Sequence, residues 1–390
     1  MKISVLTPDV SQNCLGRSYL LAQLLQKYYE VEIIGPMFGE DIWEPVRTLK
    51  KVNIKYIKIN KFPRSLFDMK RLIRLISGDI IYCSKPLFFS FGIGLLIKTF
   101  NHKPLILDID DWEFGFVKEL HKYISKKNFL LYLIKSTLYF YENQSYWNSY
   151  VFEKLYKIAN YITVSNTFLQ KKFGGIIIPH VRDTNFLDPT KINGELVRRK
   201  LNISKDKKIV MFFGTPRPYK GLTNLIEAVE LIKDNNILLV IVGVDYENKY
   251  SQSVIKYAKS HLKDRFIDFG FQPFNRVPDF LAIADVVVIP QKNNSATLGQ
   301  IPAKVFDAMA MAKPIITTNV SDMQIILEDC AWIIDDPDDT GKLSYIIEYV
   351  FKNPEEAKLK GLKARNRCNI MYSFSATSKL LSELIDNTYK

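Results

Sequence analysis

Cysteine and histidine are scarce, with four of each in 390 residues. Cys14, Cys83, Cys330 and Cys368 stand far apart, without a Cys-x-x-Cys pair or a histidine at ligand spacing. A disulfide framework and a zinc module are therefore excluded, and a reduced, cytoplasmic chain is expected. Long apolar runs are also missing. The longest, Pro86 to Ile97, has about half of the ~20 residues that span a bilayer. The opening MKISVLTPDV enters a strand directly and lacks the long apolar centre of a signal peptide. Acidic residues are in short supply: 54 Lys+Arg face 41 Asp+Glu, a net charge of +13. The deficit is greatest in residues 1–190, which hold 26 basic and 17 acidic residues. Such a half-molecule suits phosphate-bearing substrates, an anionic membrane or nucleic acid.

What is present is a rhythm. Short β-branched runs at Ile3–Leu6, Val31–Ile34, Ile54–Ile59, Asp79–Tyr82, Leu105–Ile109 and Tyr161–Val164 alternate with longer helical patterns. Strand, helix, strand predicts a parallel sheet covered on both faces. The polar connection from Val181 to Lys208 interrupts the rhythm, which resumes at Lys208–Phe213, Ile237–Val242, Phe266–Phe269, Asp285–Ile289 and Pro314–Thr317. The chain is long enough for two such α/β domains, each with its own core.

Chemistry is expected where strands end and helices begin. In GQIPAKVFDAMAMAKPIITTNV, residues 299–320, Pro302 suits a first helical turn and Ala303–Ala312 favour helix as far as Pro314. Lys304 lies in the first turn, beside amides able to receive a phosphate. Asp307 either complements the helix terminus or accepts hydrogen bonds from vicinal hydroxyls such as those of a ribose. The loop GTPRPYKG, Gly214 to Gly221, follows a strand and supplies Arg217 for bidentate phosphate binding and Lys220 as a point charge. After the first strand, the loop Thr7–Arg17 carries Gly16, which allows close backbone approach, and Arg17. LILDIDD places Asp108, Asp110 and Asp111 at a strand end, where they either cap the next helix or contact a ligand. A D-x-D group of this kind is also a candidate for a divalent cation.

Several of these segments together resemble the retaining glycosyltransferases of family 4. P-x-K-x-x-D-A-M-A-x-x-K-P looks like that family's donor-binding segment, with Asp307 as second member of its Glu-x7-Glu pair. The first member falls on Gly299, as in the branch carrying P-x-K in its place. Gly214–Gly221 resembles the family's G-R-x(n)-K-G loop, with Arg217 displaced toward Lys220. Phe269-Gly270-Phe271 occupies the place where backbone meets the nucleotide base, and Ala284 through Pro290 resembles the A-D-x-x-x-x-P strand. Ser295–Leu298, including Thr297 and Leu298, then lies beside the donor sugar. Asp110 or Asp111 takes the place of a histidine that contacts that sugar, and Gly16 and Arg17 approach the donor phosphates.

The resemblance implies a GT-B fold: two doubly wound Rossmann-like domains facing across a cleft, with an acceptor-binding domain at 1–185, a donor-binding domain at 186–371 and a terminal helix, 372–390, returning to the first. It further implies metal-independent transfer with retention from a nucleotide-diphosphate sugar, without a cofactor. The expected acceptor is a glycan or lipid-linked glycan of cell-surface polysaccharide synthesis. A soluble small-molecule glycoside is the alternative product. A nucleic-acid-binding protein is the alternative class, though no nucleic-acid motif organises the cations.

Two stretches bear on location. Arg47 to Arg74 holds ten basic residues and one acid, Asp68. Within it Arg64–Ile76 reads as a helix with Leu66, Met69, Leu72, Ile73 and Ile76 on one side and Lys70, Arg71 and Arg74 flanking. These cations are either solvated or rest on anionic lipid. Lys118 to Tyr156 is rich in aromatics and lysine, and is either core or a lipid-facing surface.

Overall fold

In the computed structural model, the described residues are 1–389 apart from 48, 50, 61–63, 123 and 144. The chain divides into two units, one of Met1–His180, Leu298–Ile301 and Thr377–Lys390, the other of Val181–Thr297 and Pro302–Ala376. The first crossing thus falls between 180 and 181, slightly ahead of the boundary expected at 185.

The first unit holds a parallel sheet of β1 (Lys2–Leu6), β2 (Glu30–Met37), β3 (Asn53–Lys58), β4 (Ile80–Ser84), β5 (Leu105–Ile109), β6 (Tyr161–Val164) and β7 (Ile176–Ile177), in the order β3-β2-β1-β4-β5-β6-β7. The central strands are β-branched because helices cover both faces, and Ile3, Val5, Ile81, Leu105 and Leu107 are fully buried. The strand order reverses between β1 and β4, which opens a crevice at their carboxyl ends. The terminal helix, Phe374–Tyr389, runs into this unit, where Tyr29 Oη donates to Asp386 Oδ1 at 2.7 Å.

The second unit repeats the design with β8 (Lys208–Phe213), β9 (Ile237–Val244), β10 (Phe266–Gly270), β11 (Val286–Ile289), β12 (Ile315–Thr318) and β13 (Trp332–Ile334), in the order β10-β9-β8-β11-β12-β13. Its reversal lies between β8 and β11. The core beneath β8 and β9 is built from Val210, Phe212, Leu239 and Ile241, against Leu225, Ile226 and Val229 of the helix Leu222–Leu231. All the expected strands are present, and β7 and β13 are additional.

The basic stretch forms the helix Ser65–Arg74, with Leu72 buried and Met69, Ile73 and Ile76 packed on the first unit's core. Lys70, Arg71 and Arg74 are exposed. Lys50, Lys61 and the side chain of Leu66 lie outside the described residues. The aromatic stretch is partly buried and partly exposed. Phe140 and Tyr141 pack on the core, and Phe114, Phe129, Tyr146 and Tyr150 contact one another ring to ring. In contrast, the helix Lys126–Leu138 leaves Leu130, Leu131, Ile134 and Leu138 more than half exposed, Leu138 at 69%. Among the described residues, no helix is long and apolar enough to cross a membrane.

Candidate active site

The second unit assembles its site on the loop after β8. Gly214 adopts φ +138°, a conformation that L side chains rarely take, and a Cβ there would overlap Lys304 Nζ. The missing side chain is therefore what seats the amine against the backbone. Lys304 Nζ also stands 5.0 Å from the centre of the Phe212 ring. Loss of solvent pushes its pKa down to about 8, against the opposing pull of Asp307. Lys220 approaches Lys304 and donates to Thr215 O at 2.7 Å, while its backbone N–H donates to Arg217 O at 3.0 Å. Arg217 is half-buried, and its guanidinium makes no hydrogen bond or ion pair among the described residues. Gly221, at φ +63°, closes the loop where a Cβ would strike Pro290 O, and Lys292 N donates to Tyr219 O at 2.9 Å. The loops after β8 and β11 are thus joined at the reversal of the sheet. Lys304, Lys220 and Gly214, singled out from sequence, are brought together here.

Asp307 follows one turn along the helix Lys304–Ala310, which is shorter than the sequence suggests because Ala312 turns left-handed at φ +52°. The carboxylate is engaged by Arg182, whose Nε donates to Oδ1 and whose Nη2 donates to Oδ2 at 3.3 Å and to Ala303 O at 2.9 Å. Arg182 carries no motif, so sequence reasoning had no handle on it.

Gly270 ends β10, where a Cβ would come within 2.9 Å of the Tyr246 ring. Tyr246 and Phe271 are 49% and 43% exposed, so two aromatic faces lie open beside the backbone expected to meet a base. Tyr246 Oη donates to Asp268 Oδ2 at 2.8 Å. Thr297 is fully buried and donates to Lys292 O at 2.6 Å, so its hydroxyl holds the loop.

In the first unit, Arg17 is engaged within the fold. Gly16 and Arg17 belong to the helix Leu15–Leu25, not to the loop before it. Arg17 Nε and Nη2 donate to Asp108 Oδ2 and Oδ1 at 2.9 and 2.8 Å, and further bonds reach Ile178 O and Pro179 O. With its side chain 1% exposed, Arg17 ties the sheet's carboxyl end together. Gly16 packs its α-carbon face against Trp43. Asp110 and Asp111 meet Lys85 Nζ at 3.0 and 2.7 Å, and Glu113, absent from the sequence expectations, meets it at 2.6 Å. Burial raises the pKa of Asp111 and of Glu113 despite Lys85. At Asp110 burial is outweighed by Lys85, Arg17 and His180, and the carboxyl titrates below its usual range. Of the carboxylates considered as a cation site, Asp110 and Asp111 thus face the ammonium of Lys85 and Asp108 faces Arg17. Leu298–Ile301 clusters with this unit, and Gln300 Nε2 donates to Asp111 Oδ1 at 3.1 Å. Leu298 is half-buried. A Cβ on Gly299 would lie 2.5 Å from Trp112 Cβ, so a glutamate has no room at that position.

Residues 194–367 match the family model described as Glycosyl transferases group 1. Among curated relatives, a putative glycosyltransferase, YtcC, of Bacillus subtilis (strain 168) is 28% identical over 195 residues, 47% of this chain and 46% of that protein. A lipopolysaccharide 1,2-N-acetylglucosaminetransferase of Salmonella typhimurium is 30% identical over 108 residues, 26% of this chain and 28% of that protein. The chain thus spans about half the length of the first relative and less of the second. Among solved structures, Anabaena HepE in complex with UDP-glucose superposes with a TM-score of 0.75 at 14% identity, covering 99% of this chain and 100% of that one. The two doubly wound parallel-sheet units share the fold of this GT-B structure, and residues 194–367, a little under half of the chain, match the glycosyl transferases group 1 model.

Proposed function

We propose that the protein is a retaining glycosyltransferase that moves a sugar from a nucleotide-diphosphate donor to a glycan or lipid-linked acceptor. The observation that carries this reading is the seat made by Gly214 for Lys304 beside Lys220 and Arg217. A sugar–diphosphate bond breaks readily only if the departing charge is met. In a partly desolvated loop, three cations meet it more strongly than water does. The C1–O bond to the diphosphate breaks, a bond from C1 to the acceptor oxygen forms on the same face, and the acceptor's proton passes to the departing phosphate oxygen. Asp307 accepts the ribose hydroxyls, and Tyr246 and Phe271 flank the base. No metal is needed in this scheme, because lysine and arginine supply the charge. The UDP-glucose bound by HepE makes a UDP-sugar the first donor to try.

Reversible contact with an anionic membrane fits the exposed Lys70, Arg71 and Arg74 and the open apolar side of the helix Lys126–Leu138. The acceptor would then be met at the lipid surface. The decisive experiment follows release of nucleotide from UDP-, GDP- and ADP-sugars with and without EDTA, and reads the anomeric configuration of the product by NMR. Inverted product, or activity abolished by EDTA and restored by a divalent cation, would sink the mechanism. Sedimentation with vesicles containing or lacking anionic lipid tests the location, since binding indifferent to lipid charge and salt contradicts it.

A further inference from the structure

Arg182 is separated from Asp307 by 125 residues, yet its guanidinium grips both carboxylate oxygens from one side. The backbone of Arg182 is itself fixed. Its N–H donates to Tyr372 O at 2.9 Å, its carbonyl accepts from Phe374 N at 3.0 Å, and it forms an isolated parallel bridge with Ser373. The same guanidinium reaches Ala303 O, at the start of the helix that carries Asp307. Three anchors therefore set one fork, and the fork sets one carboxylate.

A carboxylate offers about four acceptor positions, two on each oxygen. Arg182 takes one on each, and the Asp307 side chain keeps 13% of its surface exposed. The remaining positions suit two neighbouring hydroxyls held at a fixed spacing. An unrestrained aspartate rotates about two bonds and loses that freedom on binding, whereas a side chain already held in a bidentate pair has little left to lose.

We infer that Arg182 is a positioning residue for donor recognition, holding Asp307 in the orientation that reads the vicinal hydroxyls of the donor's ribose. The inference rests on the reading that Asp307 binds that ribose, and the two fail in different ways.

The test uses the full chain and calorimetric titration with UDP and 2′-deoxy-UDP, or with the GDP or ADP pair if wild type binds that nucleotide more tightly. Wild type should prefer the ribose form by about 10-fold or more, as expected for hydrogen bonds to a charged group. Asp307→Ala should bind both forms equally. Arg182→Gln should retain diphosphate binding and lose most of the preference, and Arg182→Lys, which keeps the charge without the fork, should fall between. Thermal unfolding of each variant controls for folding, and Arg182→Lys serves if Arg182→Gln does not fold. A folded Arg182 variant with the full preference, alongside Asp307→Ala without it, overturns the positioning role and leaves the ribose reading standing. Wild type without a preference, or Asp307→Ala with one, overturns both.

Discussion

The two units share a topology and differ in what they place at the reversal of the sheet. In the first, Lys85 is surrounded by Asp110, Asp111 and Glu113, and Arg17 by Asp108, so each buried cation has carboxylates of its own. In the second, Lys304 and Lys220 lie together, and Lys304 rests on an aromatic ring and a glycine. In one crevice carboxylates outnumber the cations they surround; the other keeps positive charge that an anion can use. The scaffold sets where a ligand goes, and the loops decide its sign.

The contrast is broken most severely at Lys85. Lys85→Met leaves three carboxyls buried without a cation and should cost about 3–5 kcal/mol in denaturant unfolding. The variant should regain stability as pH falls, because Asp111 and Glu113 already bind protons more readily than usual and the folded variant would take them up before the unfolded chain does. Constant stability across acidic pH would argue against this. Next comes Gly214→Val. A side chain there displaces Lys304 and strains the backbone, so kcat should fall about 10²- to 10³-fold, the loss typical of removing one charge-stabilising donor. Full activity would mean that the seat has no part in the reaction.

Lys220→Ala and Asp307→Ala should each cost on the order of 10- to 100-fold in kcat/KM with the fold intact. Asp307→Glu should lose less than Asp307→Ala, and an equal loss would mark the carboxylate as structural. The smallest effect is on pH dependence. Lys304 titrates at about 8 against an ordinary 10.5, so nucleotide affinity should fall several-fold as pH rises from 7 to ~9.5 and this amine loses its charge. Ligand-free stability should move the opposite way, because between these two values the unfolded chain binds more protons than the folded one. Lys304→Met should flatten both trends.

Most of the fold was legible from β-branched runs and the helices between them, since burial on both faces leaves a plain apolar signature. The two strands that escaped are short: Ile176–Ile177 and Trp332–Ile334 carry too few residues for any periodicity. The loop around Gly214 was readable because glycine, lysine and helix start are adjacent in sequence. Arg182 and Lys85 were not, because each meets its carboxylates only through the fold. Arg17 is ambiguous for the same reason, as a cation beside a glycine near a strand end reads alike whether its partner is a phosphate or Asp108.

The fit of Gly299 against Trp112 limits what can stand at position 299. A side chain introduced at 299 meets the Cβ and the backbone nitrogen of residue 112 before it meets any ligand, so trimming the indole alone does not make room for a glutamate and the backbone itself must shift. That backbone is held in place, since Trp112 packs on Phe168 and donates from Nε1 to Glu153 at 2.8 Å. A change between a glycine-bearing and a glutamate-bearing form at 299 therefore needs a shift of backbone as well as a change of side chain.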